Sequence, residues 1–153
     1  MFDVVKIVDE KYENTQDLCN LLNYIFRDKD TGGYCRYFGS ANTDPYNAML
    51  DMMFIKECYR KKDGRQARHF VVSLGNGSLI IPYEANQLAM QICAYYASRF
   101  QIVYSVHEDT DNLHIHFVLN TVSYVDGKKF TESHAELWRF KEYVSMLINR
   151  YIH

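Results

Sequence analysis

Residues 113–120 read LHIHFVLN, and this stretch decides the fold. Apolar and other residues alternate strictly along it. In a β-strand successive side chains point to opposite faces, so Leu113, Ile115, Phe117 and Leu119 share one face and His114, His116, Val118 and Asn120 the other. Two imidazoles therefore lie on one side of a strand whose opposite side is made for a core. The preceding QIVYSVH, residues 101–107, reads as a second strand ending in His107. The short turn EDTDN between them, residues 108–112, makes the pair a hairpin and carries His107 beside His114 and His116.

Working outward, the chain opens with a strand-like VVKIV at 4–8. Thr15 is then placed to cap a helix in which Leu18, Leu21, Leu22 and Ile25 recur at i, i+3, i+4 and i+7, with Tyr24 at the edge of that stripe. Residues 28–39, DKDTGGYCRYFG, read as a long loop, the kind of segment that often carries function. A helix from Pro45 to about Tyr59 follows, then a basic turn around Asp63 and Gly64 leading into the strand RHFVVSL at 68–74. Pro82 opens a helix running to about Arg99, with Ala85, Leu88, Ile92, Tyr95 and Tyr96 on one face. After the hairpin, Asp126-Gly127 signals a turn into a short strand near Lys129 and Phe130, and a last helix runs from Ser133 to the end. The order β-α-α-β-α-β-β-β-α predicts an α+β class, an α/β sandwich with a mainly antiparallel central sheet and helices packed on it.

At 153 residues and 48% hydrophobic content, with no linker or repeat, the chain suits one domain over 1–153. The sequence has no apolar run of membrane-spanning length and no signal-peptide pattern at its start. It is expected to be a cytoplasmic protein without membrane insertion. Cys19, Cys35, Cys58 and Cys93 form no CxxC pair and read as free thiols. The net charge of −2 argues against non-specific coating of duplex DNA, but KECYRKKDGRQAR at 56–68 concentrates six basic residues against two acids.

Neutral imidazoles are good ligands for divalent transition metals, and three protein ligands leave coordination positions open for a substrate. His107, His114 and His116 are thus candidate ligands of a catalytic metal. Such a centre polarises a substrate oxygen in phosphoryl or acyl transfer. Glu108 and Asp109, beside it, are candidate general bases, and the residues alone do not choose between water and a side chain as nucleophile. His69 and Ser73 alternate onto one face of their strand and border the site.

HEDTDNLHIHFVLN, followed by DGKKF, resembles the third motif of the relaxase and mobilisation-nuclease family, the MobA/MobL-like group of HUH endonucleases. Residues 107, 114, 116 and 120 match its histidine, His-x-His and downstream Asn. DGRQARHFVVSL is similar to the family's middle strand, and LLNYIFRDKDT to the helix that carries its nucleophile, with Tyr24 in the matching place. The resemblance implies a DNA relaxase nicking one strand at an origin of transfer, Tyr24 becoming linked to the 5′ phosphate and freeing a 3′ hydroxyl. It further implies a divalent metal ion, manganese or magnesium, with zinc or nickel also compatible, and a place for Asn120 around the site. Single-stranded origin DNA is the implied substrate, with accessory mobilisation proteins and a secretion coupling protein as further partners. DNA contact is then expected from Tyr34, Arg36, Tyr37 and Phe38 in the long loop and from Lys61, Lys62, Arg65 and Arg68.

Three other readings stay open from the sequence. An HUH transposase or replication initiator would place its nucleophile on a helix after the His-x-His strand, where Tyr143 stands. A metal-dependent hydrolase of small phosphates or esters would use water, and a non-catalytic module would bind single strands without cutting them.

Overall fold

The structure, a computed structural model, describes residues 4–75, 79–108 and 112–151. Among these, five strands form one sheet: β1 (Val5–Ile7), β2 (Phe38–Ala41), β3 (Ala67–Ser73), β4 (Ile102–His107) and β5 (His114–Asn120). Their order is β1-β3-β5-β4-β2 and every neighbouring pair is antiparallel. Four helices cover it: α1 (Thr15–Phe26), α2 (Ala48–Cys58), α3 (Pro82–Tyr96) and α4 (His134–Asn149).

The alternation in β5 sorts the layers. Ile115, Phe117 and Leu119 join Phe70, Val72, Ile102, Tyr104 and Val106 in a core closed by α3 and α4. Phe70 and Phe117 stack across the sheet with centroids 4.7 Å apart, and Phe140 of α4 meets Phe70 edge-on. On the other face Val118, Val103 and Ala67 meet Leu18, Leu21, Leu22 and Ile25 of α1 and Met52 of α2. That second core is smaller because its face of β5 also carries His114, His116 and Asn120, whose polar groups cannot be sealed under apolar side chains without partners.

Several local readings change. Asn14 rather than Thr15 caps α1: its extended backbone (φ −142°, ψ 173°) lets its side chain accept from the Asp17 amide at 2.8 Å. The loop read over 28–39 gives way at Phe38 to edge strand β2, which FGSA does not advertise because it lacks apolar alternation. The helix from Pro45 begins as a 3-10 turn, Pro45–Asn47, before α2. The helix from Pro82 stops at Tyr96, and the strand expected near Lys129 shrinks to a single bridge between Val122 and Lys129. Ser133 sits just outside α4 as its cap, receiving the Glu136 amide while the Glu136 carboxylate accepts from the Ser133 amide.

Candidate functional site

The register of the sheet assembles the histidines. His107 lies directly across from His114, and His116 across from Ser105, so all four side chains project to the α1 face. The His107 and His116 rings lie 4.2 Å apart. On β3, Ser73 pairs with His114 and Val71 with His116, which makes His69 a diagonal neighbour of His116. The His69 Nε2 and His116 Nδ1 atoms are 3.0 Å apart, and Tyr12 Oη lies 2.9 Å from His69 Nδ1.

Helix α1 lies over this end of the sheet, and its carboxyl-terminal turn is tied to the cluster. His107 Nε2 donates to the Ile25 carbonyl at 2.7 Å, one of the last helix carbonyls without an intrahelical partner. That anchor sets the rotation of α1 about its axis. Tyr24, adjacent to Ile25, consequently turns its ring toward the histidines, 6.1 Å from His107 and 5.6 Å from His116 between centroids. Its side chain is 49% exposed and borders a cleft of about 500 Å³ whose walls include Glu10, Tyr12, Asp17, His69 and His116.

Burial shapes the electrostatics. Desolvation, reinforced by His107, lowers the His69 pKa to about 4. Desolvation lowers His116 further, to about 3, with His107, His69, His114 and Lys29 all opposing its protonation. His116 therefore keeps a neutral ring, the form that can ligate a cation. In the neutral His107 ring, donation from Nε2 leaves the lone pair on Nδ1. Among the described residues, no three His, Cys, Asp or Glu side chains already converge as a ligand set. The donor chemistry still suits a divalent cation, because the three imidazoles share one face and the fully buried Ser105 Oγ, opposite His116, has no hydrogen-bond partner among the described residues.

The remaining expected residues fall in three places. Arg36 and Glu108 border the site on its other side, where they form an ion pair at 2.6 Å; Glu108 is thus engaged with Arg36 rather than aimed at Tyr24. Asp109 lies outside the described residues. Tyr37 sits beneath the Arg36 guanidinium, 4.8 Å from it, and packs on the α3 side of the sheet.

Arg68 projects to the face opposite the histidines, paired at 2.9 Å with the nearly buried Glu132, so its placement is a core ion pair rather than a DNA contact beside the site. Lys61, Lys62 and Arg65 precede β3 at the Asn120 end of the sheet. They engage the Gly127 carbonyl, Glu57 and Asp9 respectively. Asn120 itself is four residues from His116, roughly 13 Å along the strand. It is fully buried and binds Lys56, the Met52 carbonyl and Gln101. The structure brings none of these five to the histidines.

Sequence reasoning did not single out Tyr12, Ser105, Glu10 or Asp17. Tyr12 and Glu10 precede the first helix with no periodic signal, and Ser105 would have been visible as the residue two before His107 on the same strand face. Beyond the site an aromatic cluster extends from the end of α1: Tyr34 stacks on Phe38 at 5.1 Å, and Tyr46 meets both edge-on. Tyr34 and Tyr46 are half or more exposed.

Comparison with known proteins places the chain in a family. The family model described as relaxase, MobA/VirD2-like, nuclease domain matches residues 24–152. A Staphylococcus aureus protein named Rlx is 35% identical over 121 residues, covering 78% of this chain and 36% of the relative. Another protein of that name from the same species is 32% identical over 98 residues, covering 64% and 29%. The chain thus spans about a third of the length of these curated relatives. A solved structure described as the molecular basis of vancomycin resistance transfer in Staphylococcus aureus superposes with a TM-score of 0.62 over 97% of this chain and 92% of that one. At 10% identity that likeness speaks for the fold alone. With the family model covering residues 24–152 and the histidine hairpin inside it, the chain belongs to the MobA/VirD2-like relaxase nuclease-domain family.

Proposed function

We propose that this domain nicks a single DNA strand at an origin of transfer, with Tyr24 as nucleophile. The observation that carries the reading is the Tyr24 ring held edge-on against His107 and His116 at the mouth of an open cleft. The phenolic oxygen attacks the scissile phosphorus, the new O–P bond forms as the bond to the 3′ oxygen breaks, and that oxygen leaves as a 3′ hydroxyl after taking up a proton. The phenolic proton passes to solvent in the cleft, whose walls carry the Glu10 and Asp17 carboxylates. Retaining the strand end as a tyrosine phosphodiester conserves the energy needed to rejoin it.

His107, His114 and His116 are the residues that would hold a divalent cation. When bound, the cation supplies charge neutralisation at the non-bridging phosphate oxygens. Arg36 orients the adjacent backbone phosphate, with Glu108 holding its guanidinium in place. Unpaired bases stack on Tyr34 and Tyr46. Accessory mobilisation proteins and a secretion coupling protein are the partners this role requires for transfer.

The alternative nucleophile has no comparable placement. Tyr143 lies on α4, on the far side of the sheet, and its hydroxyl donates to the Gln91 carbonyl at 2.9 Å. The test is a phosphorothiolate suicide oligonucleotide carrying the nick site, incubated with Mn2+ and resolved on a denaturing gel. Wild type and Tyr143→Phe should form a covalent adduct and Tyr24→Phe should not. An adduct that survives Tyr24→Phe rejects the assignment.

A further inference from the structure

Three recesses meet around Tyr24 and the end of α1, and they differ in charge. The cleft of about 500 Å³ on the His69 side is lined by Glu10 and Asp17 against Lys11. A recess of about 240 Å³ beside His107 carries Asp28, Asp30 and Glu108 against Arg27 and Arg36, and the Arg36 charge is already shared with Glu108. The third, of about 250 Å³, is lined by Asn20, Asn23, Tyr24, Arg27 and Lys29. Among the described residues it holds two cations and no acid. Tyr24 and Asn20 border both this recess and the first cleft, so the nucleophile stands on the ridge between them.

Arg27 is central to this arrangement. It also borders a smaller recess, of about 190 Å³, with Asn23, Phe26 and Tyr34, so it lies between the nucleophile and the exposed Tyr34 ring. Its backbone is fixed: Arg27 bridges to Tyr34, the Asp28 amide donates to the Gly33 carbonyl at 2.7 Å, and the Gly32 amide donates to the Asp28 carbonyl at 2.8 Å. Gly32 takes the positive φ of 76° inside that turn. Arg27 is exposed, and among the described residues no carboxylate pairs with its guanidinium. Such a group suits a DNA phosphate, because its fork of donors matches two phosphate oxygens and no ion pair has to break first.

We infer that Arg27, with Lys29 beside it, binds a DNA phosphate flanking the scissile one, separate from the phosphate at Arg36, and so positions the strand across Tyr24. This rests on reading Tyr24 as the nucleophile of a strand-nicking enzyme. The nucleotide held there extends toward Tyr34, on which its base stacks, while the Asn20 and Asn23 carboxamides line the path. Arg27 takes no part in the bonds made and broken. Its contribution is orientation, since a strand anchored beside the nick brings the scissile phosphorus to the phenol in one geometry rather than many.

Binding is read on the Tyr24→Phe protein, which leaves the strand intact, with nick-site oligonucleotides that carry one uncharged methylphosphonate at a time. At one linkage flanking the nick the replacement should weaken binding about tenfold, the loss expected for a hydrogen bond to a charged group. With Arg27→Gln added, that linkage should become indifferent while the penalties at other linkages persist. The salt dependence for the unmodified strand should flatten by about 0.7 in log–log slope, and Arg27→Lys, which keeps the charge, should retain it. A methylphosphonate scan identical with and without Arg27, or a salt slope unchanged in Arg27→Gln, overturns the inference. Equal flattening in Arg27→Lys and Arg27→Gln counts against it as well, because a charge contact survives the first substitution. The two readings fail separately: a Tyr24→Phe protein that binds no single strand rejects the nicking function and the subsite with it, whereas strand binding that is blind to Arg27 rejects the subsite alone.

Discussion

The Tyr24 ring stands edge-on to the His116 imidazole, with centroids 5.6 Å apart and planes at 86°. The side chain borders the cleft, and among the described residues its hydroxyl makes no hydrogen bond. Tyr24→Phe should therefore keep the packing and remove only the reacting atom. We expect thermal stability within about 0.5 kcal/mol of wild type, as for exposed substitutions generally. Adduct formation should fall below detection. A large loss of stability in a melting experiment would show that the hydroxyl serves the fold instead.

If the three imidazoles bind a cation in the folded state alone, the ion must stabilise the protein. Mn2+ at a hundred times its dissociation constant should add about 2.7 kcal/mol, seen as a concentration-dependent rise in Tm. His116→Ala should abolish that rise and EDTA should stop nicking. An unchanged Tm of wild type at millimolar Mn2+ would argue against the site.

Two arginines expected to touch DNA should behave differently. Arg36 is exposed beside His107, so Arg36→Ala should weaken single-strand binding. It should also flatten the salt dependence by about 0.7 in log–log slope, the change expected when one phosphate is no longer neutralised. Arg68→Gln instead strands the buried Glu132 charge and should cost about 3 kcal/mol of folding stability while leaving the affinity of the folded protein unchanged. Filter binding across salt concentrations and urea unfolding separate the two.

Lys56 is fully buried against Asn120 Oδ1, and desolvation, with a smaller contribution from Lys129, lowers its pKa from 10.5 to about 7. Below about pH 7 it is charged in both folded and unfolded chains, and above 10.5 neutral in both. Between these limits only the unfolded chain holds the extra proton, so the Lys56 contribution to stability rises with pH. From pH 7 to 9 wild type should gain about 2 kcal/mol relative to Lys56→Met in parallel denaturant titrations. Identical pH slopes for the two proteins would refute a buried lysine of lowered pKa.

Much of the fold was legible because its signals are local. The alternation in LHIHFVLN put His114 and His116 on one face and Ile115, Phe117 and Leu119 on the other, and the stripe Leu18, Leu21, Leu22 and Ile25 marked α1. The hairpin spacing brought His107 to its partners, since a turn between adjacent strands leaves little freedom. What sequence pattern could not supply was long-range register. A shift of one residue between β3 and β5 would turn His69 away from His116, and no local rule chooses that pairing.

The same limit explains the basic run. Lys56, Arg60, Lys61, Lys62, Arg65 and Arg68 look alike as charges in one segment, but the fold buries Lys56 and turns Arg68 to the far face. Sequence by itself determined which face of its strand or helix each candidate residue takes, because strand and helix periods act over a few residues. Tertiary structure decided which of them meet: Ile25 tethered to His107, Tyr24 turned to the cluster, and Tyr12 joined to His116 through His69. Those encounters depend on how α1 and the segment before it cross a sheet assembled from strands distant in the chain.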